Sequence, residues 1–526
     1  MTDLKIREFT SSMSLTFPQV HEIYKRFCNQ IRSGLGKHSH ATADTKCYVT
    51  FVQDLPTGQE VGNYLALDLG GSNFRVLLVT LKGNYDSEQV SVTYPIHSDL
   101  MIGTAEELFD YIASCLENFV KLHNIEDDKL YLGFTFSFPC TQINLTQAIL
   151  RRWTKGFQVA GVVDEDISVL LKDAIDRRGT LNIEPVAIVN DTVGTLISCA
   201  YFNNQCRIGL IVGTGCNACY LEHVKCIERM DAQYREKKNM IINTEWGAFG
   251  EGGDLEFIRT DYDKQVDDTS PNPKEQIFEK MVAGMYLGKL VGYMTVRAIN
   301  ESYILVENEE KHKIVDVLEK DPDVFETYRI SQIECDLSTE LKSIQTIMRE
   351  LFEVTFISHD DCLNFKHICE SVTRRSATLV AVNISALINK INEPRVVVAV
   401  DGSLFRLHPR YDSYMRETLR KFVNPKIVYD LVLSEDGSGR GAALIAAVAT
   451  MGREEEVPEV PEDEALLLPI DEANAEEVNV SSKSPSRAGS KSGSKAGSKS
   501  GSKAGSKASS KATSKEPSKE NLNVNK

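Results

Sequence analysis

The chain has 526 residues, 42% of them apolar and 25% charged, which is the balance of a globular protein of two or three domains and excludes a small disulfide scaffold. No run approaches the ~18 consecutive apolar residues of a transmembrane segment, and the opening Met1 to Glu8 lacks the apolar core of a signal peptide, so the expected address is the cytosol. Twelve irregularly spaced cysteines predict reduced thiols rather than a disulfide framework, and a net charge of −16 argues against general nucleic-acid binding by the folded core.

Val20, Ile23, Tyr24, Phe27 and Ile31 recur at helical spacing after Pro18, with Gly34 as the expected stop. The apolar run Tyr64 to Leu69, the turn Gly70-Gly71-Ser72-Asn73 and the run Phe74 to Val79 predict a β-hairpin with a glycine-rich corner. Further strands are expected at Leu130 to Phe136, closed by Pro139, and at Val186 to Val189, ending in Asn190-Asp191. The hairpin theme recurs where Gly209 to Val212 runs through Gly213-Thr214-Gly215-Cys216-Asn217 into Ala218 to Leu221. Two such hairpins about 140 residues apart predict an internal duplication, with two α/β halves facing one another across a cleft. Helical pattern dominates 276–392, a strand at Val396 to Val400 ends in Asp401-Gly402-Ser403, and Ser434 to Gly441 reads as a glycine loop entering a helix at 442–448.

After Gly452 the composition changes. Residues 453–480 hold eleven Asp or Glu against one Arg, and residues 481–526 hold eleven Lys or Arg against two Glu, with a basic residue at every fourth position from Lys483 to Lys519. A Ser, Gly and Ala repeat cannot bury enough surface to offset its conformational entropy, so 453–526 is expected to be a disordered tail, first acidic and then Lys/Ser-rich, whose partner is unknown.

Four glycine-rich corners beside apolar strands or a helix offer the bare backbone amides that a nucleotide phosphate requires, and Asp68, Asp191 and Asp401 at strand ends suit a Mg²⁺-nucleotide cleft. The P-loop pattern is absent. The dinucleotide pattern at Gly213, Gly215 and Ala218 is set aside because Cys219-Tyr220-Leu221 continues as strand where a helix should open. Cys216, Cys219, His223 and Cys226 have zinc-ligand identities, but in an extended segment residues three apart point to opposite faces, which favours buried cysteines and a surface histidine. Asp191 itself stands where Asn, Asp or Thr reads first as a helix N-cap, with a carboxylate facing the cleft as the functional alternative.

Leu132-Gly133-Phe134-Thr135-Phe136-Ser137-Phe138-Pro139 followed by Trp153-Thr154-Lys155-Gly156-Phe157 closely resembles the sugar-binding signature of the hexokinases. LDLGGSNFR at 67–75, IVNDTVGTL at 188–196, IVGTGCNACYLE at 211–222, INTEWGAFGEGG at 242–253, QIFEKMVAGMYLG at 276–288, VDGSLFRLHP at 400–409 and LSEDGSGRGAALI at 433–445 follow in that family's order. The resemblance covers residues 17–452, one catalytic unit. It implies a two-lobed, duplicated α/β fold of the actin-like, ribonuclease H-like ATPase class that closes on sugar. By resemblance, Asp191 is the base for the 6-hydroxyl of a hexose, with Lys155 beside it. Ser137, Thr154, Lys155, Asn190, Asn217, Glu245, Gln276 and Glu279 would hold the sugar. Without the family, Gln276 and Glu279 read as the exposed face of a helix. Asp68 would orient Mg²⁺ through water, and Gly70, Gly71, Ser72, Asn73, Arg75, Gly213, Thr214, Gly215, Gly402, Ser403, Gly437 and Ser438 would line ATP.

The organisation expected is an N-terminal helix and lead-in over 1–62 packing on the large lobe, a small lobe over 63–200, a large lobe over 201–440, a closing helix over 441–452 and the tail. The expected activity is ATP-dependent phosphorylation of glucose or a similar hexose, the first step of glycolysis, with a catalytically weak sugar-binding regulator as the alternative. Several residues depart from the family pattern: Ser72 for threonine, Arg440 for lysine, Lys274 for glycine, Ala283 for serine, Lys289 for glutamate and Val49 for proline.

Overall fold

The computed structural model describes residues 4–70, 73–434 and 436–451. The expected disordered tail therefore lies outside the described residues. The strands are β1 (Tyr48–Val49), β2 (Val61–Leu69), β3 (Asn73–Gly83), β4 (Asp86–Pro95), β5 (Leu130–Phe136), β6 (Cys140–Gln142), β7 (Ala148–Leu150), β8 (Ile183–Val189), β9 (Cys206–Val212), β10 (Cys216–His223), β11 (Asn239–Asn243), β12 (Arg395–Asp401) and β13 (Val428–Leu433). They form a five-stranded sheet of order β4-β3-β2-β5-β8, a six-stranded sheet of order β1-β11-β10-β9-β12-β13, and the small ribbon β6-β7.

The duplication read from the sequence is explicit in these orders. In the first sheet β4, β3 and β2 are antiparallel neighbours, and β5 and β8 continue parallel. In the second, β11, β10 and β9 are antiparallel, and β12 and β13 continue parallel. The two lobes are thus the same motif, with β1 added at one edge. Parallel central strands buried on both faces read as continuous apolar runs, as Val396 to Val400 does, and all five of those residues are buried.

The helices Asp191–Phe202 and Gly437–Thr450 pack on one another between the sheets. Their apolar faces, including Val193, Leu196, Ala200, Ala443 and Leu444, share a core cluster with Ala66 and Val79 of one sheet and Cys219 and Ala399 of the other. Small residues make the close crossing possible: a Cβ on Gly441 would stand 2.0 Å from the Gly194 carbonyl oxygen.

Two expectations are corrected. The first long helix runs from Phe17 to Leu35, opened by a Thr16 capping box, so Gly34 lies inside it and Gly36 is the C-cap. Gly34 is glycine because a Cβ there would meet the Thr45 carbonyl oxygen at 2.2 Å. Likewise Gly437 to Gly441 forms no loop: the last helix starts at Gly437. Those glycines serve helix packing, Gly437 lying against Ser434 and Gly439 against Leu77. All twelve cysteines are free. Among the described residues no helix is long and apolar enough to cross a membrane.

Candidate active site

The carboxyl ends of β2, β5, β8, β9 and β12 converge on one cleft of about 810 Å³. At the end of β8, Asn190 rather than Asp191 caps the following helix: the Asn190 side chain accepts the Thr192 amide at 3.0 Å. Asp191 occupies the first helical position, and its carboxylate accepts the same amide at 2.9 Å. The cap is thus supplied by the neighbour, and the carboxylate lines the cleft. Burial pushes the Asp191 carboxyl above the ordinary range, opposed by the Lys155 ammonium and reinforced by Asp68.

Lys155 donates to the Ser137 carbonyl oxygen at 2.7 Å, which anchors its turn to the end of β5. Asn217, Asn243 and Glu245 form a second polar knot. The Asn217 and Asn243 amides donate to Glu245 Oε1 at 3.1 and 2.8 Å. Burial pushes the Glu245 carboxyl up to about 7, the Asn243 bond opposing. Glu279 accepts the Cys216 amide at 3.0 Å, and its carboxyl too is raised by burial. Gln276 is not an exposed helix residue: it is 8% exposed, and its backbone N–H donates to the Glu251 carboxylate at 2.7 Å. Three of these groups sit on left-handed backbone without being glycine: Lys155 (φ 57°), Glu245 (φ 51°) and Gln276 (φ 53°).

The corner side of the cleft is basic and acidic in alternation. Asp68 accepts from Arg75 at 2.5 Å and from Ser438 at 2.8 Å, and Arg75 also pairs with Asp436. Gly70, Gly213, Thr214, Gly215, Gly402, Ser403 and Ser438 line the same cleft as Asp191. Gly402 holds φ 119°, and a Cβ there would meet the Val212 carbonyl oxygen at 2.3 Å, so the second and third corners touch only because the residue is glycine. Gly71 and Ser72 lie outside the described residues, and Asn73 opens β3. Arg75 is joined to the cleft through its bond to Asp68, and Gly437 opens the last helix one residue before Ser438.

Sequence reasoning missed Arg152, Glu275 and Tyr286, which also line the cleft. Among the departures, Lys274 takes φ 71°, the backbone a glycine would adopt freely. Lys289 pairs with Asp323 at 2.9 Å, Arg440 donates to Gln89 at 2.9 Å, and Val49 pairs with Ile242 in the sheet. The extended strand Cys216–His223 is neither a zinc knuckle nor the opening of a dinucleotide helix, and no group of three metal-ligating side chains occurs among the described residues.

A duplicated, two-lobed α/β fold of the actin-like ATPase class, with a polar cleft at the strand ends, is what these elements define. Two family models described as hexokinase match residues 5–201 and 207–448. Hexokinase-2 of Rattus norvegicus is 43% identical over 452 residues, covering 84% of this chain and 48% of the relative, and hexokinase-2 of Homo sapiens is 42% identical over 453 residues, covering 85% and 48%. The chain thus spans about half the length of the curated relatives it matches. A solved hexokinase from Schistosoma mansoni, complexed with glucose, superposes with a TM-score of 0.78 at 39% identity, covering 84% of this chain and 98% of that one. A second hexokinase crystal structure gives 0.71 at 29% identity, with the same coverage. This chain belongs to the hexokinase family.

Proposed function

We propose that the protein transfers the γ-phosphoryl group of ATP to the 6-hydroxyl of glucose or a related hexose, as a first step of glycolysis, with residues 63–200 and 201–440 acting as lobes that close on the sugar. The observation that carries this reading is Asp191: a half-buried carboxylate that shares the Thr192 amide with the capping Asn190 and lies in the same cleft as Lys155, Asn217, Glu245, Gln276 and Glu279. Dense carboxylates, amides and hydroxyls are what a polyol needs, and they reject ligands that leave a partner unpaired.

Burial makes Asp191 a stronger base than an exposed aspartate, suited to accept the 6-hydroxyl proton as that oxygen attacks phosphorus. The bond from the γ-phosphorus to its bridging oxygen breaks, ADP departs, and the proton stays on Asp191 until solvent removes it. Lys155 keeps the base ionised, and Ser137, Thr154 and Asn190 hold the sugar beside it. The corners Gly70, Gly213 to Gly215, Gly402-Ser403 and Ser438 present backbone toward the phosphates.

Asp68 fits an outer-sphere ligand of Mg²⁺. Its carboxylate is already bonded to Arg75 and Ser438, and no three-residue metal cage occurs among the described residues, so such an ion would take its direct ligands from phosphate and water. Bound there, Mg²⁺ would neutralise charge on the phosphate oxygens.

The test is ADP release by the purified chain with and without glucose, beside Asp191→Ala. Turnover should depend on sugar and fall ~10²-fold or more in the variant, with glucose binding retained. A wild type that binds glucose and releases no ADP above background would replace this reading with the sugar-binding regulator.

A further inference from the structure

A second cavity, of about 350 Å³, shares no lining residue with the cleft. Its walls come from β1 and the residues flanking it, from the turn Arg229 to Tyr234, and from Thr141 and Gln142 of β6. Two cations face it, Lys46 and Arg229. Neither makes an ion pair among the described residues: Asp231, the carboxylate in the same wall, pairs with neither, and Lys46 donates only to the Ala41 carbonyl oxygen at 3.1 Å. Arg229 donates to the Cys47 carbonyl oxygen at 2.5 Å, while its Nε is buried without a hydrogen-bond partner. Burial draws the guanidinium below its ordinary pKa, opposed by Cys47 and Tyr48, and no carboxylate pairs with it among the described residues. A half-buried charge without a counter-charge is unfavourable, and an anion would relieve it.

Four rings also line the cavity, among aliphatic and polar side chains. Phe51 packs edge-on to Tyr234 at 4.9 Å, and His40 lies edge-on to Tyr48 at 6.0 Å. Cys47 and Phe51 both hold left-handed backbone, at φ 51° and 61°, a conformation bulky residues adopt only when the surroundings enforce it.

Both walls lead directly to the polar knot of the cleft. Cys47, which Arg229 grips by its carbonyl, donates its own amide to Thr244 at 3.0 Å, and Thr244 adjoins Glu245. On the other side Gln142 donates to the Ile188 carbonyl, two residues before Asn190.

We propose that this cavity binds a small ring-bearing phosphate monoester and that its occupancy alters the affinity of the cleft for sugar. A dianion matches the two unpaired cations, guanidinium being suited to phosphate oxygens, and the aromatic faces take the ring. The volume falls at the small end of ligand sites, roughly 300–1,000 Å³. The binding half of the inference is independent of phosphoryl transfer; the coupling half rests on the sugar reading above.

The test is calorimetric titration of the full chain with phenyl phosphate, adenosine monophosphate, ribose 5-phosphate and inorganic phosphate, with and without glucose. At least one ring-bearing ester should bind one-to-one, about tenfold or more tighter than inorganic phosphate, and about tenfold weaker in Arg229→Gln and threefold weaker in Lys46→Gln. Adenosine monophosphate against ribose 5-phosphate separates a nucleotide from a sugar-phosphate source. At saturation the glucose affinity should shift about threefold or more, and the ester affinity by the same factor when glucose is saturating. Absence of binding up to about 10 mM, or binding that both variants leave unchanged, overturns the site. An unmoved glucose affinity overturns the coupling. Lys46→Gln preserves the Arg229 grip on Cys47 and decides the matter should Arg229→Gln not fold. A chain that binds the ester and not glucose overturns the sugar reading and the coupling together, and establishes the anion site.

Discussion

Arg152 and Glu275, 123 positions apart in the chain, form an ion pair of 2.6 Å at the cleft. Arg152 belongs to the segment that carries Thr154 and Lys155, and Glu275 directly precedes Gln276. The pair therefore ties the two halves of the expected sugar set together. The Arg152 charge also lowers the carboxyl pKa of both Glu245 and Glu279, against the dominant effect of burial.

Both side chains are over a third exposed, so the pair should contribute little to stability, about 0–1 kcal/mol. Its effect should appear in substrate handling. Arg152→Ala is expected to raise the glucose KM about three- to tenfold with kcat within about twofold. The swapped pair Arg152→Glu with Glu275→Arg should recover much of the loss, as steady-state kinetics will read.

Glu245 gives a pH signature. Its folded carboxyl is pushed up to about 7 from an ordinary 4.5, so the folded state binds more protons than the unfolded state between those values. Stability of the ligand-free protein should therefore fall as pH rises from about 4.5 to about 7. Glu245→Gln should melt higher than the wild type at about pH 8, and the gap should close near pH 5. On the proposed role of Glu245 as an ionised acceptor for sugar hydroxyls, glucose affinity should run the other way and lose this pH dependence in the variant.

Lys274 holds φ 71° while its amide donates to Asp267 at 2.8 Å, a bond any residue can make. Lys274→Gly relieves about 1–2 kcal/mol of left-handed strain and adds roughly 0.5–1 kcal/mol of unfolded-chain entropy, for a net gain near 0.5–1 kcal/mol. Denaturant unfolding will measure it; a destabilised variant would mean that the lysine side chain contributes more than its backbone strain removes.

The crossing of Gly194 and Gly441 admits no side chain. In Gly441→Ala the new Cβ would lie 2.0 Å from the Gly194 carbonyl oxygen and 2.4 Å from its Cα, and backbone atoms of a packed helix cannot move aside cheaply. A loss of about 3 kcal/mol or more in thermal unfolding is expected. Gly179→Ala, where a Cβ would have nothing within 4 Å but the backbone φ is 64°, should lose about 1 kcal/mol.

Much of the fold was legible because its signals are local. Both hairpins announce themselves by apolar runs that meet at glycine corners and the strand Leu130–Phe136 by an apolar run closed by Pro139, while Asp68 and Asp401 fall at strand ends where the cleft opens. What escaped was non-local. Gly34 and Gly441 look alike in sequence to a stop and a loop, yet each is set by a carbonyl oxygen from a distant segment. The Asn190-Asp191-Thr192 string cannot say which residue caps the helix; only the bond from Thr192 to Asn190 does. Gln276 and Glu279 carry no periodic signal of a site and were found by resemblance alone. Arg152 and Glu275, remote in sequence, are neighbours only in the folded chain.

The left-handed backbone at Lys155, Glu245 and Gln276 sets recognition against robustness. Each such conformation is unfavourable by about 1–3 kcal/mol. Glycine would suit all three positions on conformational grounds, and at each it would delete an ammonium, a carboxylate or an amide that faces the cleft. On the proposed sugar-binding roles of these residues, random mutagenesis selected for heat tolerance alone should therefore drift toward glycine at these sites and yield sturdy, inactive proteins. Selection for activity must retain the strain and find its compensation elsewhere, in the buried scaffold of the two lobes.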